Sequence, residues 1–211
     1  LREKDRAGMY PLHIAIWNAH AEIMDFLLDL QGSYADQLVD SFNNKPIHLA
    51  AYCRASKVVK RLVVEFGCPI QDFSRENESN RIIHLAAMNG CVDTLRFLME
   101  EAPESTASRR ASVTDLNIRK ENVLFSTIVL DRFDAFLYCL NRYPAGVDEL
   151  DEVGYPLFWG ALTWGATRIT KYMFEKGLVR CNFGPDSPLD FLDAASYYHE
   201  PATAQHEGTF G

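Results

Sequence analysis

The sequence contains no paired cysteine motif, no long apolar run and no cluster of positive charge. Each absence removes a class of function. The five cysteines, at positions 53, 68, 91, 139 and 181, are odd in number and widely spaced, with no C-x-x-C and no finger-like Cys/His spacing. They read as reduced, mostly buried thiols of a cytosolic compartment rather than a disulfide framework or a zinc site. A net charge of −8 lacks the basic footprint that nucleic-acid binding requires. No stretch approaches the ~18 apolar residues of a spanning helix, so no membrane insertion by this chain is expected. The opening "LREKDRAG" has no apolar core of a secretion signal. A start at Leu1 rather than Met suggests a fragment or a processed chain.

Catalytic signatures are missing as well. There is no H-E-x-x-H, no G-x-S-x-G, no kinase signature and no glycine-rich phosphate loop after a strand pattern. Cys68 and Cys91 fall at positions that packing explains, and the acids of "DELDE" at 148–152 read as a solvated turn rather than a glycosidase pair. No enzymatic activity, cofactor or metal is therefore expected. What remains is an ordinary soluble composition, 47% hydrophobic and 24% charged over 211 residues, which suffices for a substantial core in one or two domains or an elongated array.

Laying the chain on itself selects the array. "DRAGMYPLHIAIWNAHAEIMDFLL" from Asp5, "DSFNNKPIHLAAYCRASKVVKRLV" from Asp40 and "ENESNRIIHLAAMNGCVDTLRFLM" from Glu76 superpose without a gap. His13, His48 and His84 share one column, and Ala15, Ala50 and Ala86 share another. Fainter copies start at Asn117 and Asp151, with Phe125 and Trp159 in the histidine column and Thr127 and Ala161 in the small one. A degenerate copy near Asn182 reads as a capping unit, because a terminal repeat lacks one neighbour. The array is expected to occupy residues 1–199, with 200–211 a tail or a linker to further sequence. Each copy predicts a turn, a short helix and a second helix with apolar residues at helical spacing: Ile23, Phe26 and Leu27 in the first copy, Val58, Leu62 and Val63 in the second, and Leu95, Leu98 and Met99 in the third. Pro11 and Pro46 suit a first helical turn, and Gly32 and Gly67 a helix stop.

"PLHIA" at 11–15 and "PIHLA" at 46–50 resemble the P-L-H-x-A core of the ankyrin repeat. The resemblance extends over about residues 5–195, strongest in the first three copies. It implies an all-α ankyrin-repeat α-solenoid of helix-turn-helix units with hairpin-like finger loops, and it implies that His13, His48 and His84 are structural, each bonding backbone near a turn. Phe125 and Trp159 imply a different anchor in their copies.

The same fold implies non-catalytic protein recognition through a concave face of first helices and fingers. The positions expected there are Trp17 and Asn18, Tyr52 and Cys53, Met88 and Asn89, Val129 and Leu130, and Thr163 and Trp164, unless they tuck beneath adjacent fingers. Phe42 and Tyr155 stand out on the fingers. The candidate partner-binding set is thus Trp17, Asn18, Phe42, Tyr52, Met88, Asn89, Leu130, Tyr155 and Trp164, facing a protein partner in the cytoplasm. Two other readings stay open: the cytosolic ankyrin segment of a larger protein, such as a TRP-type channel or a multidomain enzyme, or a microbial effector binding host proteins. The polar stretch 100–115 is expected to protrude as a loop, and "RRAS" within it makes Ser112 a candidate phosphorylation site whose phosphate would face Arg109 and Arg110.

Overall fold

The computed structural model describes residues 3–74, 80–103, 109–151 and 153–179. Five helix pairs follow one another: α1 (Pro11–Trp17) with α2 (Ala21–Gln31), α3 (Pro46–Tyr52) with α4 (Ser56–Val64), α5 (Ile82–Met88) with α6 (Val92–Arg96), α7 (Val123–Ile128) with α8 (Phe133–Leu140), and α9 (Leu157–Thr163) with α10 (Thr167–Glu175). First helices pack on first helices in series, from α1 to α9, and α4, α6, α8 and α10 form a second row behind them. Among the described residues, extended pairing is limited to two isolated bridges, Phe73 with Arg81 and Leu150 with Pro156. The array is an all-α ankyrin solenoid. The degenerate unit near 182, Cys181 and the tail lie outside the described residues.

The small column shows why the repeats close so regularly. Ala15, Ala50, Ala86, Thr127 and Ala161 are all buried, which lets successive first helices approach. Each of their carbonyls also accepts the N–H five residues on, from His20, Ala55, Cys91, Arg132 and Ala166, at 2.8–3.0 Å. This six-residue bond is the Schellman closure of a helix end, and it needs a left-handed residue within it. That residue is Ala19, Arg54, Gly90, Asp131 or Gly165, with φ between 49° and 73°. Two of these five are glycine, so the steric penalty falls on Ala19, Arg54 and Asp131; at Asp131 the carboxylate caps α10 of the next repeat through the N–H groups of Arg168 and Ile169.

The residue that opens the first, second, fourth and fifth copies is equally informative. Asp5, Asp40, Asn117 and Asp151 each accept, through a side-chain oxygen, the backbone N–H four residues on, at 2.7–3.0 Å. The side chain thereby holds a tight finger turn whose tip residue, Gly8, Asn43, Lys120 or Gly154, has positive φ. Gly8 has a second reason to lack a side chain, since a Cβ there would sit 2.4 Å from that of Ser41, whose N–H bonds the Gly8 carbonyl at 3.1 Å. Neighbouring fingers are stacked through such bonds.

Two expectations about local structure are corrected. Residues 109–115 do not protrude: Ala111 and Val113 are buried, the Ala111 N–H bonds the Leu98 carbonyl at 3.1 Å, and the Val113 carbonyl accepts from Val123. In the first repeat, Ile23 and Phe26 are exposed, and the face of α2 turned to the core is Met24, Leu27 and Leu28. The third repeat also departs from its neighbours, because α6 runs into a π-helical turn over Phe97–Glu101 before the chain enters its extra residues.

Candidate partner-binding face

The three histidines are structural, and what they join is one repeat to the next. His13 Nε2 lies 3.1 Å from the carbonyl of Asn44, His48 Nε2 3.4 Å from that of Asp72, and His84 Nε2 3.3 Å from that of Glu121. A carbonyl only accepts, so each Nε2 carries the proton and each Nδ1 is a lone-pair acceptor. In His48 that acceptor takes the Lys45 N–H at 3.1 Å, while in His13 and His84 it is buried without a partner. Burial lowers all three pKa values against the pull of the carbonyls, that of His84 to about 4. The rings are neutral interlocks at physiological pH.

Repeat four uses a different device, as Phe125 in its histidine column implies. Phe125 is buried in the core, and Asn122, the N-cap of α7, supplies the link. Its Oδ1 accepts the Leu124 N–H at 2.8 Å, and its Nδ2 donates to the Gly146 carbonyl at 3.2 Å and to Glu149 at 2.5 Å. An N-cap asparagine ahead of an apolar run is a legible signal; its reach into the following repeat is not. Trp159 is likewise buried, only 6% exposed.

The candidate recognition residues divide into two groups. Trp17, 57% exposed, and the partly buried Tyr52 stack with nearly parallel rings, 5° apart in plane and 6.3 Å between centroids. With Met9, Phe42, Leu49 and Leu85 they line a groove of about 340 Å³ whose polar lining is limited to Asp40, Asn44 and His48. Phe42 is exposed on its finger, so its ring forms a wall and not a core contact. Further along, Met88 and Trp164 share a smaller depression of about 100 Å³ with Phe125, Ile128 and Val129, bordered by Arg119, Glu121 and Asp151. Trp164 is 55% exposed, and Leu130 and Tyr155 are exposed as well.

Two members of the set are turned to local use. Asn89 is buried, with its amide donating to the Leu85 carbonyl at 3.3 Å. Asn18 makes the same bond to Ile14 at 2.9 Å but stays exposed. Asn89 therefore offers little to a partner. Ser112 closes a turn: its N–H bonds Asp115, and its hydroxyl pairs with that of Thr114 at 2.9 Å. Arg109 is already ion-paired to Asp115, and Arg110 donates to the Ala102 carbonyl at 3.0 Å, so neither arginine is waiting for a phosphate.

Cys53, Cys68 and Cys139 carry no activated thiolate. Burial pushes Cys68 and Cys139 each up to about 12 and raises Cys53, the reverse of what a nucleophile requires. Among the described residues, no group of three His, Cys, Asp or Glu side chains is placed to hold a metal ion, and no helix is long and apolar enough to cross a membrane.

Comparison with known proteins agrees with the geometry. Residues 12–109 match the family model for ankyrin repeats in three copies. The chain is also similar, at 24% identity over 151 residues, to the transient receptor potential cation channel subfamily A member 1 of Drosophila melanogaster. That match covers 69% of this chain and 12% of the channel subunit, so the chain spans a small part of that relative. Residues 12–109, just under half of the chain, thus carry three ankyrin repeats, the fold that the helix pairs over those residues also form.

Proposed function

We propose that this chain is a non-catalytic protein-recognition module that binds its partner across the face formed by the first helices and the fingers. The observation that carries this reading is the groove beneath the Trp17–Tyr52 stack, where large apolar side chains of the first helices and fingers face solvent. Exposed aromatic and Met side chains at a concave site are the residue types that anchor interfaces. A ligand that places an apolar side chain between Tyr52 and Phe42 would bury both rings, and the finger of Asp40–Asn44 would set its orientation. The second groove, around Met88 and Trp164, extends the contact.

The test is to measure affinity for a captured partner with Tyr52→Ala and Trp164→Ala, each expected to weaken binding by about 1–3 kcal/mol as central anchors do. Lys57→Ala, on an exposed position of α4, is expected to leave affinity within about 0.5 kcal/mol. Unchanged affinity in both aromatic variants, with their helical spectra intact, would move recognition to another face.

A second reading is favoured by the likeness to the Drosophila channel subunit: the module is the cytosolic ankyrin segment of a larger protein, recognising parts of its own host. The same two grooves serve either reading.

A further inference from the structure

The second helices of repeats two to five present one face to the repeat before them, and the residues on that face are known by their contacts. At the position equivalent to Ile23 stand Val58, Thr94, Ala135 and Ile169, every one at most 3% exposed. At the position equivalent to Phe26, each side chain reaches back to the preceding second helix. Arg61 pairs with Asp25 and Asp29. The Phe97 ring lies 5.4 Å from the Lys60 ammonium. The Tyr138 hydroxyl donates to Glu100 at 2.8 Å, and Tyr172 meets Phe133 and Phe136 edge-on at 5.4 and 6.1 Å. At the position equivalent to Leu30, Glu101 pairs with Lys60 and Arg142 with Glu100. The first two positions are the inter-repeat joint, and the third lies at its solvent-facing rim, where Glu65, Glu101, Arg142 and Lys176 are all exposed.

In the first repeat the same positions hold Ile23, Phe26 and Leu30, exposed by 50, 60 and 55%. The first helix shows the same trend, since Ile14 is half-buried whereas its equivalents Leu49, Leu85 and Ser126 are buried, the fifth-repeat equivalent being the half-buried Gly160. A terminal repeat that ends an array carries a polar outer face, and this one does not. It keeps an apolar joint surface with no charged residue at the position equivalent to Phe26 or Leu30, where internal repeats use Arg61, Glu101 and Arg142.

We infer that the outward face of α1 and α2 is an interface, and that it seats a further ankyrin-type helix hairpin stacked in the register of the internal joints. The incoming second helix meets Phe26 and Leu30 with the two positions that correspond to Asp25 and Asp29. Those aspartates suit the guanidinium of Arg61; against Phe26 and Leu30 they would be desolvated without a counter-charge. The occupant therefore carries no acidic residue there; an apolar side chain fits, as does a Lys placed as Lys60 is against the Phe97 ring.

A consensus ankyrin repeat fused in register ahead of the full 211-residue chain tests this, built once with Leu and once with Asp at the two facing positions. With Leu, hydroxyl-radical oxidation of Phe26 is expected to fall to the level of Phe97, and the fusion should unfold in urea as one transition above the midpoint of the unfused chain. With Asp, both effects are expected to be absent, and to return when the chain carries Phe26→Arg and Leu30→Glu, the residues of the second repeat. Circular dichroism of that variant alone verifies its fold. Phe26 remaining fully reactive in the Leu fusion, or both fusions coupling equally, would overturn the inference. So would an unfused chain that sediments as a dimer with Phe26 protected, since a second copy would then be the occupant.

Discussion

Replacing His84 with Gln separates the neutral-interlock account of the histidines from a merely space-filling one. The buried ring joins α5 to the Glu121 carbonyl in the next finger, and burial holds its pKa at about 4 against the ordinary 6.5. Nearby Asp115 and Arg81 act in opposite directions on it, so burial sets the sign. Because the folded value is the lower one, the unfolded chain takes up the proton first. The contribution to stability is complete above pH 6.5 and is lost as pH falls toward about 4. Between pH of about 7.5 and about 5, that linkage amounts to about 2 kcal/mol. Gln keeps an N–H donor for the carbonyl but cannot titrate, and at neutral pH the swap should cost about 1 kcal/mol through imperfect bond geometry and packing. Urea unfolding followed by circular dichroism at several pH values gives both numbers. On acidification the parent should lose about 2 kcal/mol more than the variant. His13 and His48 titrate in both proteins and cancel in the difference. Parallel stability curves would mean that His84 binds protons equally well folded and unfolded, and the interlock reasoning would fail.

Asn122→Ala removes the cap of α7 together with the link to Gly146 and Glu149, so stability should drop by about 1–2 kcal/mol. Hydrogen exchange should show the Pro144–Asp148 turn opening with it; an unchanged turn would refute that coupling. Ala50→Asp places a carboxylate in the fully buried small column, at a cost of about 3 kcal/mol or more. Equal urea midpoints for that variant and the parent would contradict the stacking of first helices through this column.

The register of the repeats is legible because it is written in local chemistry that each copy must solve alone. An Asp or Asn closes the finger of copies one, two, four and five onto its own backbone, and in every copy an Ala or Thr lets one helix approach the next while its carbonyl closes the helix end. The burial of His13, His48 and His84 belongs to the same logic. What escapes sequence reading is whatever depends on a neighbour. Ile23 and Phe26 have the helical spacing of a buried face, yet they are exposed, because spacing describes a helix and not the element that covers it. Residues 109–115 look like a polar loop, since two apolar side chains in a charged stretch make no period; bonds to Leu98 and Val123 pull them down nonetheless. In the candidate site, Trp17, Phe42, Tyr52 and Trp164 were nameable from their columns. That Trp17, Phe42 and Tyr52 line one groove and Trp164 another, and that Asn89 turns its amide inward, depend on how neighbouring repeats pack, which no spacing encodes.

The central claim is that the solvent-facing aromatic residues of the first helices are the recognition surface, and the three tryptophans of the chain report on it directly. Oxidative footprinting of the free chain and of its complex with a captured partner reads all three at once. The account predicts that Trp17 and Trp164 react readily in the free chain and Trp159 hardly at all, and that partner binding protects Trp17 and Tyr52 while leaving Trp159 and the α4 surface at Lys57 unchanged. Binding that leaves Trp17 and Tyr52 as reactive as before, with protection appearing on the second helices or over residues 109–115, would contradict it.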